Sequence, residues 1–277
     1  MLRPSRTRAP SDARGPSRGR GTSRPPARPT AAVWVLVAAA VLVQIIYPLV
    51  PAAGRTTVTV LSVVVFCAAS VADAARVAGA RGAALLLVVA GGGGLLVEAV
   101  GVRTGLPFGE YAYTGTLGPQ VLGVPAVVPL AWAMMAWPAL VVARTLARTA
   151  LGTTLVGGAA LAAWDVFLDP QMVSAGHWRW ADPDPGLPLV PGIPLTNYAG
   201  WVLVAVLMVG TLHRVLPHPG RPSEPAAALY LWVYGSSVLA HAAFFGLPGS
   251  ALVGGILMGL VAVPFALRLL HRWRGAR

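Results

Sequence analysis

The chain has no lysine, a single cysteine and only nine acidic residues among 277. Each scarcity excludes something. One thiol, Cys67, can build neither a disulfide framework nor a thiolate metal cluster, and its place inside an apolar run makes it a small buried hydrophobe. Charged residues make up 11% of the chain, hydrophobic ones 56%, and mean hydropathy is +0.69, which excludes an ordinary water-soluble domain. The missing lysine leaves all basic charge to 21 arginines, a sign of a biased genome that carries no functional information.

What is present is a series of apolar runs. A bilayer-crossing helix needs ~20 mostly apolar residues, and eight such runs occur near 33–50, 57–75, 82–100, 124–143, 150–168, 197–216, 226–245 and 249–268. The predicted fold is all-α: a polytopic membrane bundle of about eight transmembrane helices over residues 31–277. Arginine orients it, because cytoplasmic loops are enriched in basic residues. Eighteen arginines fall in the N-terminal tail, alternate connections and the C-terminus, against Arg55, Arg103 and Arg179 on the other side. Both termini are therefore predicted to be cytoplasmic, in a bacterial plasma membrane.

Residues 1–30 are rich in Arg, Pro, Ser and Gly and lack an apolar face, so they read as a disordered cytoplasmic tail. Their charge suits anionic lipid headgroups, which accounts for it without a nucleic-acid partner. The first apolar run has no convincing small-residue cleavage pattern and is expected to be retained.

The remaining polar residues concentrate at the non-cytoplasmic end. Glu98 closes the third run, Asp165 and Asp169 close the fifth, and His241 lies in the outer half of the seventh. The two longest connections, 101–123 and 170–196, share that side, and their aromatic, Gly- and Pro-rich composition predicts ordered caps that form a lid. Each leads into its next helix through a similar decapeptide, "GVPAVVPLAW" from Gly123 and "GIPLTNYAGW" from Gly192, the latter holding Asn197 and Trp201. The pattern reads as a parallel repeat of two helical hairpins, each giving an acid and an aromatic cap to a shared cavity. Coincidence in a Gly- and Pro-rich sequence gives the same pattern.

Structural roles compete with chemical ones at each position. Intramembrane acids are costly and mostly functional, but near a helix end they can reach the interface. Asp165, four residues deeper than Asp169, favours function. Asp169 precedes Pro170 and also suits a helix terminus, and Glu98 could pair with Arg103. His241 reads as a hydrogen-bonded core residue, and Asp73 as a structural ion pair with Arg76. The glycines 91–94 fit either close helix packing or room for a slender ligand. An aromatic belt explains Trp178 and Trp201 as readily as ligand contact does, whereas Trp164 beside Asp165 points to the site.

Residues i and i+4 share a helix face, so Asp165 and Asp169 can approach one another and meet Glu98. A buried acid kept neutral donates a proton, a neighbouring carboxylate accepts one, and aromatic faces steady a cation formed between them. Such a site adds a proton to something apolar. Metal-dependent prenyl transfer would call for a second Asp-rich motif and cytoplasmic basic residues for the diphosphate, whereas the second motif is missing and the acids face outward; a transporter would call for polar residues at the midplane, where few are found.

The stretch "LPFGEYAYTGTLGPQVLGVPAVVPLAW", with "WDVFLDPQ" and "GIPLTNYAGW", resembles the carotenoid biosynthesis membrane protein family that includes the acyclic carotenoid hydratases, most clearly over residues 98–205. The resemblance implies a cofactor-free, metal-free hydratase that adds water across the terminal C=C of an acyclic carotenoid of lycopene, monocyclic or C50 type. Its partners would be that carotenoid, water and membrane lipid, with other membrane enzymes of the pathway as candidates. On that expectation Asp165 protonates the double bond and Asp169 or Glu98 deprotonates water. Trp164 with Tyr111 or Tyr113 flanks the cation, while Trp178, Asn197 and Trp201 complete the substrate contacts. The alternatives are cyclisation by the same proton chemistry and a non-enzymatic membrane transporter.

Overall fold

Inside a bilayer no water satisfies backbone N–H and C=O groups, so apolar segments of this length fold as helices. The computed structural model describes residues 30–275. It contains α1 (Thr30–Ile46), extended by the 3-10 turn Tyr47–Leu49, and α2 (Ala52–Leu86), which passes through the π-helical turn Leu87–Gly92 into α3 (Gly93–Thr104). There follow α4 (Val127–Leu146), α5 (Ala150–Ser174), α6 (Leu195–Val215), α7 (Glu224–Ala243) and α8 (Pro248–Arg274). Among the described residues seven helical segments are long and apolar enough to cross a membrane, which makes this an all-α, multi-pass membrane protein. The tail predicted to be disordered lies, but for Thr30, outside the described residues.

Seven segments make eight passes because one of them folds back. Ala52–Thr104 is continuous over 53 residues, ~80 Å if straight against a hydrocarbon layer of ~30 Å. Gly79, however, sits at φ 79° and ψ 173°, outside the helical region and open essentially to glycine alone. Thr59 on one side of it and Glu98 on the other line the same cavity, whereas a straight helix would hold them ~60 Å apart. The chain therefore reverses at Gly79 and supplies the two spans expected at 57–75 and 82–100.

At one end of the bundle the arginines gather. Arg76 pairs with buried Asp73 at 2.7 Å, and Asp73 also accepts from Trp137 Nε1 (2.8 Å) and Ser223 Oγ. This is the structural ion pair expected there, and it ties α2 and α4 to the start of α7. Arg144 donates to the carbonyls of His213, Leu216 and Pro217, closing the C-terminus of α6. Arg144, Arg221 and Arg272 surround one small pocket at this end.

At the other end the two long connections meet. Strand β1 (Tyr111–Tyr113) pairs antiparallel with β4 (Trp178–Trp180), in the register Tyr111 to Trp180 and Tyr113 to Trp178. Two further hairpins, β2 (Gln120–Val121) with β3 (Val124–Pro125) and β5 (Gly186–Leu187) with β6 (Val190–Pro194), lead into α4 and α6. One boundary departs from expectation. Helix α5 does not end at Asp169 but runs through Pro170 to Ser174. Proline removes a single helical donor, a loss that packed neighbours absorb, and Pro138 and Pro264 are likewise internal to α4 and α8.

Candidate active site

The β1–β4 lid covers a cavity of about 180 Å³ with walls from α1 to α7. Glu98, from α3, opens onto it. Its Oε2 accepts from Tyr111 OH at 2.5 Å and Tyr113 OH at 2.8 Å, and its Oε1 from Trp132 Nε1 at 3.1 Å. Three donors on two oxygens favour the ionised form of a carboxyl held in a dry site. Enclosure under the lid, and then the nearby charge of Glu98, push both tyrosine phenols well above their ordinary value, so they remain donors. Glu98 does not pair with Arg103, which donates instead to the Ala99 carbonyl at 2.6 Å.

The second acidic group comes from α5. Asp169 opens onto the cavity, and its Oδ1 accepts from Trp178 Nε1 of the lid at 3.1 Å. Asn197, from α6, bridges the two aspartates through one amide nitrogen, 2.5 Å from Asp169 Oδ2 and 3.0 Å from Asp165 Oδ2. Asp165 is fully enclosed, forms no part of the cavity wall, and leaves Oδ1 without a hydrogen-bond partner. Of the two aspartates, Asp169 is therefore the one on the cavity wall, with Asp165 enclosed behind it. Four residues along a helix rotate a side chain by ~40° and move it ~6 Å, enough to set Asp165 behind Asp169.

Aromatic rings enclose the space between these acids. Trp132 and Trp201 stack with ring centroids 3.9 Å apart and planes 15° from parallel, and Trp164 meets Trp201 edge-on at 6.1 Å. Trp132 and Trp201 are the closing residues of the two decapeptides, whose opening Gly123 and Gly192 share a φ of 87° and 88°. The repeat thus has a physical counterpart: each hairpin brings an acid, a strand with an aromatic donor to that acid, and one tryptophan of the stack.

The structure brings together Glu98, Asp169, Trp164, Tyr111, Tyr113, Trp178, Asn197 and Trp201 around the cavity and sets Asp165 behind it. Sequence reasoning passed over Trp132, although it occupies the same place in its decapeptide as Trp201. It also assigned His241 to the core. His241 is buried and bonded to Ser250 as expected, yet it also lines the cavity. Within the glycine stretch close packing rests on Gly94: the Trp132 ring lies against it, and an added Cβ would come within 2.6 Å of that ring, whereas at Gly93 nothing lies within 4 Å.

A family model described as carotenoid biosynthesis protein matches residues 54–260, most of the chain. The bisanhydrobacterioruberin hydratase of Haloarcula japonica is 39% identical to it over 151 residues, a stretch covering 49% of this chain and 50% of that protein. The match thus spans about half the length of this relative. No solved structure matches the chain.

Proposed function

The chain belongs to the carotenoid biosynthesis protein family, and we propose that it is a hydratase adding water to the terminal C=C of an acyclic carotenoid end group. The observation carrying this reading is the pair of differently held acids, Asp169 and Glu98, opening onto one aromatic cavity. The relative named for hydratase activity supports it.

In this mechanism Asp169, backed by Asp165, transfers a proton to the less substituted alkene carbon. The tertiary carbocation forms beside the faces of Trp164 and the Trp132–Trp201 stack, where ring quadrupoles stabilise it. Water adds to the cation, and Glu98 takes the proton that the new C–OH group must lose. Returning that proton from Glu98 to the aspartates resets the site, so alkene and water are consumed in equal number. Tyr111 and Tyr113 hold Glu98 in place as its hydrogen-bond donors. The protein works in the bacterial cell membrane with its arginine-rich end in the cytoplasm.

The test is mass-resolved pigment analysis of lycopene-, monocyclic-carotene- and C50-producing bacterial hosts expressing the gene. A mass gain of one or two waters is expected. Products of unchanged mass with altered retention would turn the assignment to cyclisation by the same acids, and unaltered pigment in every host would sink both.

A further inference from the structure

Helices α1, α2 and α7 carry none of the site's carboxylates, yet they present Gln44, Thr59, Ser62, Ser236, Ser237 and His241 to the same cavity. His241 is the informative member. Only 1% of it is exposed, and it sits edge-on between Phe167 and Phe245, with ring centroids 5.2 and 5.4 Å away. Its Nδ1 lies 2.7 Å from Ser250 Oγ, and that hydroxyl lies 3.1 Å from the Leu247 carbonyl. A hydroxyl has one proton to give. Ser250 gives that proton either to the Leu247 carbonyl or to Nδ1 itself, and in both tautomers Nε2 is a polar ring atom, acceptor or donor. Nε2 has no partner in the structure. A buried polar atom left unpaired costs ~1–3 kcal/mol, so the position calls for a hydrogen-bonding group that enters from the cavity.

We propose that His241 Nε2 is the hydrogen-bonding atom of a second polar subsite, one that binds an O–H group. That group is either a hydroxyl carried by the ligand's end group or a water molecule held beside it. Ligand identity rests on the hydratase reading, but the subsite itself rests on the His241–Ser250–Leu247 chain of hydrogen bonds. Held between the rings of Phe167 and Phe245, one fixed polar atom discriminates strongly between an end group that carries a hydroxyl and its hydrocarbon counterpart.

The experiment compares 6-methylhept-5-en-2-ol with 2-methylhept-2-ene, end-group mimics with and without a hydroxyl, by the thermal stabilisation each gives the solubilised full-length protein. A ligand hydroxyl at the subsite gives the alkenol at least ~10-fold tighter binding, with the difference lost in His241→Phe. Equal binding of the two mimics, with a fall in kcat but unchanged KM for carotene hydration in His241→Phe, assigns the subsite to water. Equal binding together with wild-type hydration by that variant overturns the proposal. His241→Gln, which keeps an acceptor, serves if the Phe variant does not fold, and there the alkenol preference should persist. A His241-dependent preference in a protein that hydrates no carotene would keep the subsite and discard the hydratase reading.

Discussion

Asp165 and Asp169 differ by one helical turn, and that turn separates their roles. Asp169 opens onto the cavity, while Asp165 touches Asn197 and has an oxygen with no partner. If Asp169 transfers the proton, Asp169→Asn lowers kcat by ~10²–10⁴-fold, the usual weight of a general acid, and leaves the protein folded because the amide keeps its shape. Asp165→Asn spares the group that faces substrate and should cost ~10-fold or less in kcat with KM unchanged. Initial rates on membranes from cells making each variant decide it, and an Asp165→Asn variant as inactive as Asp169→Asn would exchange the two roles. The sequence carried the pairing of these acids, since i and i+4 spacing is visible in it. It could not say which one lines the cavity, because Asn197 arrives from another helix and its hydrogen bonds to both have no periodic signature.

At the scale of elements, the lid and the glycine stretch make separable demands. Gly94 lets Trp132 lie against α3, and Trp132 bonds Glu98 a turn further on. Gly94→Ala should therefore cost ~1–3 kcal/mol of stability through overpacking. It should also lower kcat, since a displaced Trp132 releases Glu98 and leaves the stack on Trp201; unfolding temperature and rate measured on the same preparation show whether both fall. In the lid, buried His177 bonds Thr116 through Nδ1 at 2.7 Å, and its backbone carbonyl accepts from Thr114. Burial lowers its pKa below the ordinary 6.5, so the opened lid takes up a proton before the closed one does. Lid stability should then be full above pH 6.5 and fall as pH drops through it. Amide exchange over residues 111–116 and 176–180, corrected for intrinsic rates, should accelerate toward about pH 5 and lose that dependence in His177→Gln. The lid's composition announced an ordered cap, but the β1–β4 pairing did not show. Three-residue strands separated by more than sixty positions leave too short an alternation to read.

For the whole molecule, hydropathy and arginine counting carried the plan because lipid imposes it: backbone groups force helices, and anionic headgroups attract basic loops. The reversal at Gly79 was legible as a break between two apolar runs. In the structure α1 runs toward the lid, where Gln44 and Tyr47 reach the cavity, and α8 runs from the lid to Arg272 at the opposite end. The described chain thus enters and leaves on the arginine-rich side, and that side should face the cytoplasm. The lone Cys67, buried in α2, makes the test direct. In a Cys67→Ala background, exposed Asp182 lies beside the lid and exposed Arg148 in the connection between α4 and α5. A membrane-impermeant maleimide should label Asp182→Cys on intact cells and Arg148→Cys only after permeabilisation. The opposite pattern would place the lid in the cytoplasm, invert the protein, and require water to enter the acid site from the inner face of the membrane.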